Sequence, residues 1–433
     1  MSLGGGNFTT PNKVLPGTYI NFVSARNASA TLADRGIATI GLEMDWGPED
    51  TVLEVSSEDF QKKSLEIFGY PYDHEKLKGL RDLFLNIKTL YAYRLNGGGV
   101  KASNKYATAL YSGTRGNEIK IVVQKTVDET EIYEVSTVLG STVVDKQLVK
   151  ASTELKANKY VTWKSFEVKT SVTAGEALTS GTNGNVQTSN HQAYLDKIEA
   201  YSFNTIGCVS SDDGVKGLYA SFTKRMREEV GTKFQCVLSN KPADYEGVIN
   251  VKNTCTELEQ GLVYWVTGVS AGCAVNETNL NKVYDGEFTV NVNYTQSQLI
   301  KAIQDGEFTL HNVNGEVRVL EDINSLVTTT EEKGEDFKNN QTVRVLDQIG
   351  NDVAVIFNNN YLGKVPNDES GRTSLWADIV KHHEELQKLR AIEGFSSKDV
   401  VVEVGPDKKS VMFSDAVKPL SAMAKLYMVV QVG

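Results

Sequence analysis

Hydrophobic and polar positions along the chain repeat with two periods, and the places where the period changes mark its organisation. Between 36 and 55, "GIATIGLEM" and "TVLEV" read as strands joined by the turn "DWGPED". "SSEDFQKKSLEIFG" opens with Ser57 ahead of Phe60 and carries Glu58 and Asp59 in its first turn, which predicts a capped helix ending near Gly69. "HEKLKGLRDLFLNI" places Leu77, Leu80, Leu83, Phe84 and Ile87 on one helical face, and "KTLYAYRL" predicts a strand closed by "NGGG" at 96–99. From about 101 to 180 the runs "YATALY", "NEIKIVVQKT", "ETEIYEVSTV", "TVVDKQLV" and "KYVTWKSFEV" predict a small all-β module. The Gly/Ser/Thr/Asn stretch at 173–190 reads as a loop and a boundary. From 191 helix and strand alternate: "HQAYLDKIEAY", "FNTIGCVS", "DDGVKGLYASFTKRMREEVG", "KFQCVLS" and "EGVINV" predict a layered α/β domain. "DGEFT" occurs at 285–289 and again at 305–309 around the helix-like "TQSQLIKAIQ", which reads as turn, strand, helix, turn, strand. In the last region Val343, Leu346, Ile349, Val353 and Ile356 share one helical face. Leu375, Trp376, Ile379, Val380, His383, Leu386 and Leu389 share another, and "DVVVEVG" and "KSVMFSDAV" follow as strands.

Both ends of the chain carry strand patterns without a local partner. In "AKLYMVVQVG" Leu426, Met428, Val430 and Val432 alternate with Lys425, Tyr427, Val429 and Gln431, the pattern of a half-buried strand. Burying the four even side chains contributes about 1.5–3 kcal/mol each. Ordering the backbone costs about 1–2 kcal/mol per residue over roughly nine residues. The two terms nearly cancel, so this strand needs a sheet to receive it. Residues 1–18 are rich in Gly, Pro, Asn and Thr and read as an extended arm; they lead into "TYINFVSA", a β-prone run holding Tyr19, Ile20, Phe22 and Val23.

Composition narrows the function classes. The 433 residues are 40% hydrophobic and 23% charged, an ordinary globular composition with length for two to four domains. A net charge of -10 without a basic block disfavours nucleic acid, whose phosphates require clustered Lys and Arg. Apolar runs stay short of the roughly 20 residues of a membrane helix, and the N-terminus lacks a signal-peptide pattern, so folding is expected in the cytoplasm. Cys208, Cys236, Cys255 and Cys273 form no CxxC pair and read as buried free thiols.

The candidate chemistry is sparse. "GVSAG", Gly268 to Gly272, matches the GxSxG nucleophile elbow, with Ser270 as nucleophile and Asp285 and His311 in the order of a triad. An elbow needs a strand before the serine and a helix after it; "GLVYWVT" offers the strand, but "CAVNETNLNKVYDGE" does not read as an amphipathic helix. This serine-hydrolase reading stands as the alternative. His382 and His383 precede Glu384 and Glu385 without HExxH spacing; His383 falls on the apolar stripe and His382 reads as its solvated neighbour. Phosphate loops are missing, and the "NAS", "NET", "NYT" and "NQT" sequons read as chance matches. These residues support no enzyme, cofactor or metal.

Taken in order, several of these segments resemble the contractile tail sheath proteins of bacteriophages, especially those of Gram-positive phages, defective prophages and phage-tail-like bacteriocins. They are "LGGGNFTTPNKVLPGTYINF", "RGIATIGLEMDWGPEDTVLEV", "TLYAYRLNGGGVKAS" with "ATALYSGTRGNEIKI", "EALTSGTNG", "VTGVSAGCAVNETNLNKVYDG", and "RVLDQIGNDVAVIFNNNYLGKVPND" with "GRTSLWADI". The resemblance covers nearly the whole chain. It implies a mixed α+β multidomain fold: an N-terminal extended arm (1–28), an α/β segment (29–100), an inserted β-rich module (101–183), a central core of subtilisin-like fold without catalysis (184–328), and a C-terminal α+β domain ending in a strand arm (329–433). It also implies a helical homopolymer around a tail tube, partnered by tube, baseplate and tail terminator proteins in a virion or phage-tail-like particle. A tail-tube or baseplate component is the alternative within the same machine. The terminal strands, at Tyr19, Ile20, Phe22 and Val23 and at Leu426, Met428, Val430 and Val432, are then expected to join neighbouring subunits.

Overall fold

The computed structural model of the protein describes residue 32, residues 34–126 and residues 131–432. Among these, one compact unit is built from residues 34–351, 389–393 and 418–432, and the other from 352–388 and 394–417.

The first unit opens with β1 (Ile37–Leu42), β2 (Val52–Ser56), α1 (Ser57–Phe68), α2 (Lys78–Phe84) and β3 (Thr89–Arg94). The cap of α1 is Ser56, one residue ahead of the expected opening; its hydroxyl accepts the Asp59 N–H, and Gly69 ends the helix at φ 79°. A β-module follows, with β4 (Ala107–Ala109), β5 (Ile119–Lys125), β6 (Tyr133–Leu139), β7 (Thr142–Val149), β8 (Val161–Trp163) and β9 (Thr173–Ala177). The chain then resumes alternation through α3 (Thr188–Ile198), β10 (Thr205–Cys208), α4 (Asp213–Arg225), β11 (Gln235–Ser239), β12 (Val248–Val251), α5 (Leu262–Gly272), α6 (Gln296–Gln304) and β13 (Glu307–Phe308). A hairpin of β14 (Leu310–Val313) and β15 (Glu316–Val319) precedes α7 (Asn340–Ile356), within which the boundary to the second unit falls.

Seven strands form the central sheet in the order β13-β12-β11-β10-β1-β3-β2. Neighbours are parallel except β2, which runs antiparallel to β3 at the edge. β10, β11 and β12 are buried along their whole length, as strands covered on both faces must be. On one face Cys236 and Leu238 meet Tyr194 of α3 and Tyr219 and Phe222 of α4. On the other, Val237 and Ile249 pack with Trp265 and Val266 of α5. All four cysteines are buried and free.

In the β-module a four-stranded antiparallel sheet, β7-β6-β5-β9, accompanies the pair β4-β8. β9 occupies part of the stretch expected to be a loop: its few apolar residues hide a strand whose place is set by pairing with β5. The glycines around the module are explained by close backbone approach. A Cβ on Gly99 would lie 2.0 Å from the Thr182 carbonyl oxygen, and one on Gly184 would lie 1.8 Å from that of Gly97. The ingoing and outgoing segments thus run side by side, with Val100 N–H donating to Thr182 O at 3.1 Å and Thr182 N–H to Val100 O at 3.0 Å.

The two "DGEFT" copies differ. The second yields β13 after Gly306 at φ 68°, whereas the first leads into a single bridge between Val290 and Cys255. Pairing available to each copy, not local sequence, decides between them.

The second unit holds the end of α7, α8 (Glu369–Lys388) and the two-stranded β16 (Val400–Val404) and β17 (Val411–Asp415). Ile356, Leu375, Ile379, Val380 and Val400 form its core. His382 and His383 are both fully buried, so the expectation of a solvated His382 is wrong. Its Nε2 sits 2.9 Å from Asp352 Oδ2 near the end of α7, a partner thirty positions upstream that the helical period of α8 cannot reveal. Leu389, expected on the buried face, is exposed because α8 ends one residue before it.

Candidate assembly surface

The C-terminal segment is pinned and then released. Leu420 N–H donates to Ala391 O at 2.9 Å, Glu393 N–H to Lys418 O at 2.9 Å, and Ala422 N–H to Gln341 Oε1 at 3.0 Å. Beyond Ala422 no strand is formed through residue 432. Leu426, Met428, Val430 and Val432 are 89%, 76%, 68% and 92% exposed, so the alternation predicted as half-buried is unburied within one chain. The segment pairs with no strand among the described residues. Met423 and Tyr427, at the alternate positions, are exposed as well. Tyr19, Ile20, Phe22 and Val23 lie outside the described residues.

A second exposed apolar surface belongs to β16 and β17. Trp376 of α8 fixes the ribbon by donating its indole N–H to Val400 O at 3.0 Å. Val401, Val404, Met412 and Phe413 remain exposed. A two-stranded ribbon is marginal by itself, and its outer edges carry no further strand among the described residues. The sequence showed these strands but not that they stand as a pair.

Ser270 is not an elbow serine. "GLVYWVTGVSAG" is helix α5, not a strand leading into a turn. Its residues are buried nearly all round, and such a helix shows no amphipathic period by which to distinguish it from a buried strand. Ser270 is 1% exposed and its Oγ has no hydrogen-bond partner. Asp285 instead accepts the Trp265 indole N–H at 2.7 Å, and His311 stands in β14 opposite Arg318, its imidazole pushed below its ordinary value by burial. The two glycines of the motif serve helix packing: a Cβ on Gly268 would lie 2.6 Å from Leu83 O, and one on Gly272 would lie 1.8 Å from Asn86 O. Small residues four apart let α5 press against the end of α2, and the serine is an incidental neighbour.

Where β1 and β10 diverge, at the switch point at which doubly wound sheets often bind ligands, a cavity of about 580 Å³ opens. Two of its polar lining residues are engaged within the chain: Asp212 caps α4 by accepting the Val215 N–H at 2.8 Å, and His191 Nδ1 meets Tyr219 OH at 3.0 Å. Among the described residues no group of three or more His, Cys, Asp or Glu is placed to hold a metal ion, and no helix is long and apolar enough to cross a membrane.

Four family models match in sequence order: the tail sheath protein Gp18 domain III N-terminal region at 35–95, the phage tail sheath protein beta-sandwich domain at 97–183, the phage tail sheath protein central domain at 184–325, and the phage tail sheath C-terminal domain at 332–433. The phage-like element PBSX protein XkdK of Bacillus subtilis (strain 168) is 33% identical, with 100% of both chains covered. The crystal structure of the sheath tail protein from Desulfitobacterium hafniense is 33% identical and superposes with a TM-score of 0.82, covering 95% of this chain and 99% of that one. The anti-feeding prophage helical sheath in its contracted state shares the fold at 12% identity, with a TM-score of 0.56 and coverage of 96% and 99%. With sheath models matched from residue 35 to the end and a full-length relative at one-third identity, the chain belongs to the phage tail sheath protein family.

Proposed function

We propose that the protein is the repeating subunit of a contractile tail sheath. Copies polymerise helically around a tail tube, and contraction of that lattice drives the tube through the envelope of a target cell. The observation that carries the joint between subunits is the C-terminal segment beyond Ala422, pinned at its base and exposing Leu426, Met428, Val430 and Val432. Strand addition to a neighbour's sheet supplies what one copy lacks: main-chain hydrogen bonds for affinity and alternate side-chain pockets for register. The acceptor is the β16–β17 ribbon of another copy, whose exposed Met412 and Phe413 gain cover as the strand gains partners. Tyr19, Ile20, Phe22 and Val23 form a second joint of the same kind.

Head-to-tail contacts of this sort generate open helices in preference to closed dimers. Rigid bodies tied by extended arms can slide and rotate without separating, so the lattice itself stores the energy of contraction as a metastable packing. The partners are further copies of this chain, the tail tube protein, and the baseplate and tail terminator; the product is a virion or phage-tail-like particle assembled in the bacterial cytoplasm. Deleting residues 424–433 tests the joint. The truncated chain is expected to fold and stay soluble while forming no tubes by electron microscopy. Tubes of ordinary appearance from it would overturn the joint and leave family membership untouched.

A further inference from the structure

The histidine pair of α8 is a buried titratable cluster that the assembly reading does not use. His383 Nδ1 lies 2.9 Å from the Ile379 carbonyl oxygen, and its Nε2 lies 2.6 Å from Asp415 Oδ2. His382 Nε2 lies 2.9 Å from Asp352 Oδ2, and the two Nδ1 atoms are 3.3 Å apart. Both rings are fully buried. A ring nitrogen facing an oxygen acceptor at these distances must carry hydrogen, because opposed lone pairs in a dry site repel and leave both atoms unsatisfied. Three nitrogens face oxygens here. Two neutral imidazoles bring two N–H groups between them. The fourth nitrogen, His382 Nδ1, faces His383 Nδ1 and serves as acceptor. The contacts therefore require one proton more than two neutral histidines hold, and with both carboxyls ionised it is carried on His383.

We propose that this additional proton is a clamp that fastens β17 to α8. His383 is its positioning residue and Asp415, the last residue of β17, its counterpart. The other Asp415 oxygen, Oδ1, is buried without a hydrogen-bond partner, so His383 is the contact that compensates this carboxylate. The groups packed on the rings are Asp352 from α7, Asp415 from β17 and the Phe395 ring, 5.1 Å from His383, from the segment after α8. On α8 itself Lys381 and Glu384 are exposed, and Glu385 pairs with Lys388 at 2.7 Å. With the proton bound, each contact is a donor–acceptor pair. When rising pH removes it, one nitrogen–oxygen contact becomes repulsive, and the weakest anchorage, the end of a two-stranded ribbon, yields. The clamp does not depend on how copies assemble.

The test uses the full chain. Hydrogen exchange of amides 400–415, corrected for intrinsic exchange at each pH, is expected to lose at least tenfold protection as pH rises through one single-proton step. Asp415→Asn presents an amide donor to an unprotonated His383 Nε2, so this variant should keep its protection and vary less than twofold over the same range. Nitrogen-15 spectra of histidine-labelled chain should show three protonated ring nitrogens from this pair where the ribbon is protected. Protection independent of pH in the natural chain, the same pH dependence in Asp415→Asn, or two protonated nitrogens where three are required would each overturn the proposal. If Asp415→Asn fails to fold, the nitrogen-15 count in the natural chain decides.

Discussion

Replacing Val430 with aspartate separates a joint between copies from a property of one copy. Val430 is 68% exposed in the single chain. Val430→Asp should therefore leave monomer stability within about 0.5 kcal/mol of its starting value, as surface substitutions do. In the proposed joint the same side chain faces a neighbour's apolar surface. Losing its burial costs about 1.5–3 kcal/mol per joint, and an interfacial carboxylate adds to that cost. Since 1.4 kcal/mol is tenfold in an equilibrium constant, the critical concentration for polymerisation should rise roughly tenfold to more than a hundredfold. The control is Gln431→Asp, which adds the same charge to a chain already at -10 but on the opposite side of the strand. Pelleting assays over a concentration series, with thermal melting of the soluble fraction, measure both quantities. Equal rises for Val430→Asp and Gln431→Asp would refute alternate-face burial. An unchanged critical concentration for Val430→Asp would refute the joint itself.

Three further outcomes concern the first unit. Asp45, where β1 meets the β-module, accepts hydrogen bonds from Tyr70 OH at 2.6 Å, Lys76 Nζ at 2.6 Å and Asn183 Nδ2 at 2.7 Å. Burial alone would raise its carboxyl, but the bonds from Lys76, Tyr70 and Asn183 outweigh it and hold the group at about 2. A depressed folded value contributes stability above the unfolded value near 4 that disappears as pH falls toward 2. Unfolding by urea should therefore show about 2 kcal/mol lost across that window in the natural chain and much less in Asp45→Asn. In α5, Gly272→Ala should destabilise by about 3 kcal/mol, the upper range for overpacking, because its Cβ would overlap the Asn86 carbonyl. Ser270→Ala, which removes a buried hydroxyl without a partner, should be neutral or slightly stabilising. Comparable losses from both in thermal melts, or labelling of Ser270 by a serine-reactive probe, would contradict the packing role assigned to this motif.

The chain's own pattern determined the elements wherever burial is one-sided or local chemistry marks an end. α1 with its Gly69 stop, the alternating strands of the β-module, and α4 with Asp212 ahead and Gly231 behind all follow from period and caps. The ordered segments also carried the family, and the terminal alternation at Leu426, Met428, Val430 and Val432 is legible in the sequence.

Only the tertiary structure decided what depends on partners far along the chain. α5 is buried on all sides, so its helical period is invisible and the strand reading competed with it. β9 exists because β5 offers an edge. His382 points inward because Asp352 meets it, and Asn340 and Arg344, in what reads as an amphipathic helix start, form a buried polar network with Asp322. The C-terminal strand pattern shows the same limit from the other side. A sequence records that side chains should be covered, but it is the neighbouring backbone, here absent within one copy, that decides whether an alternating segment becomes a strand.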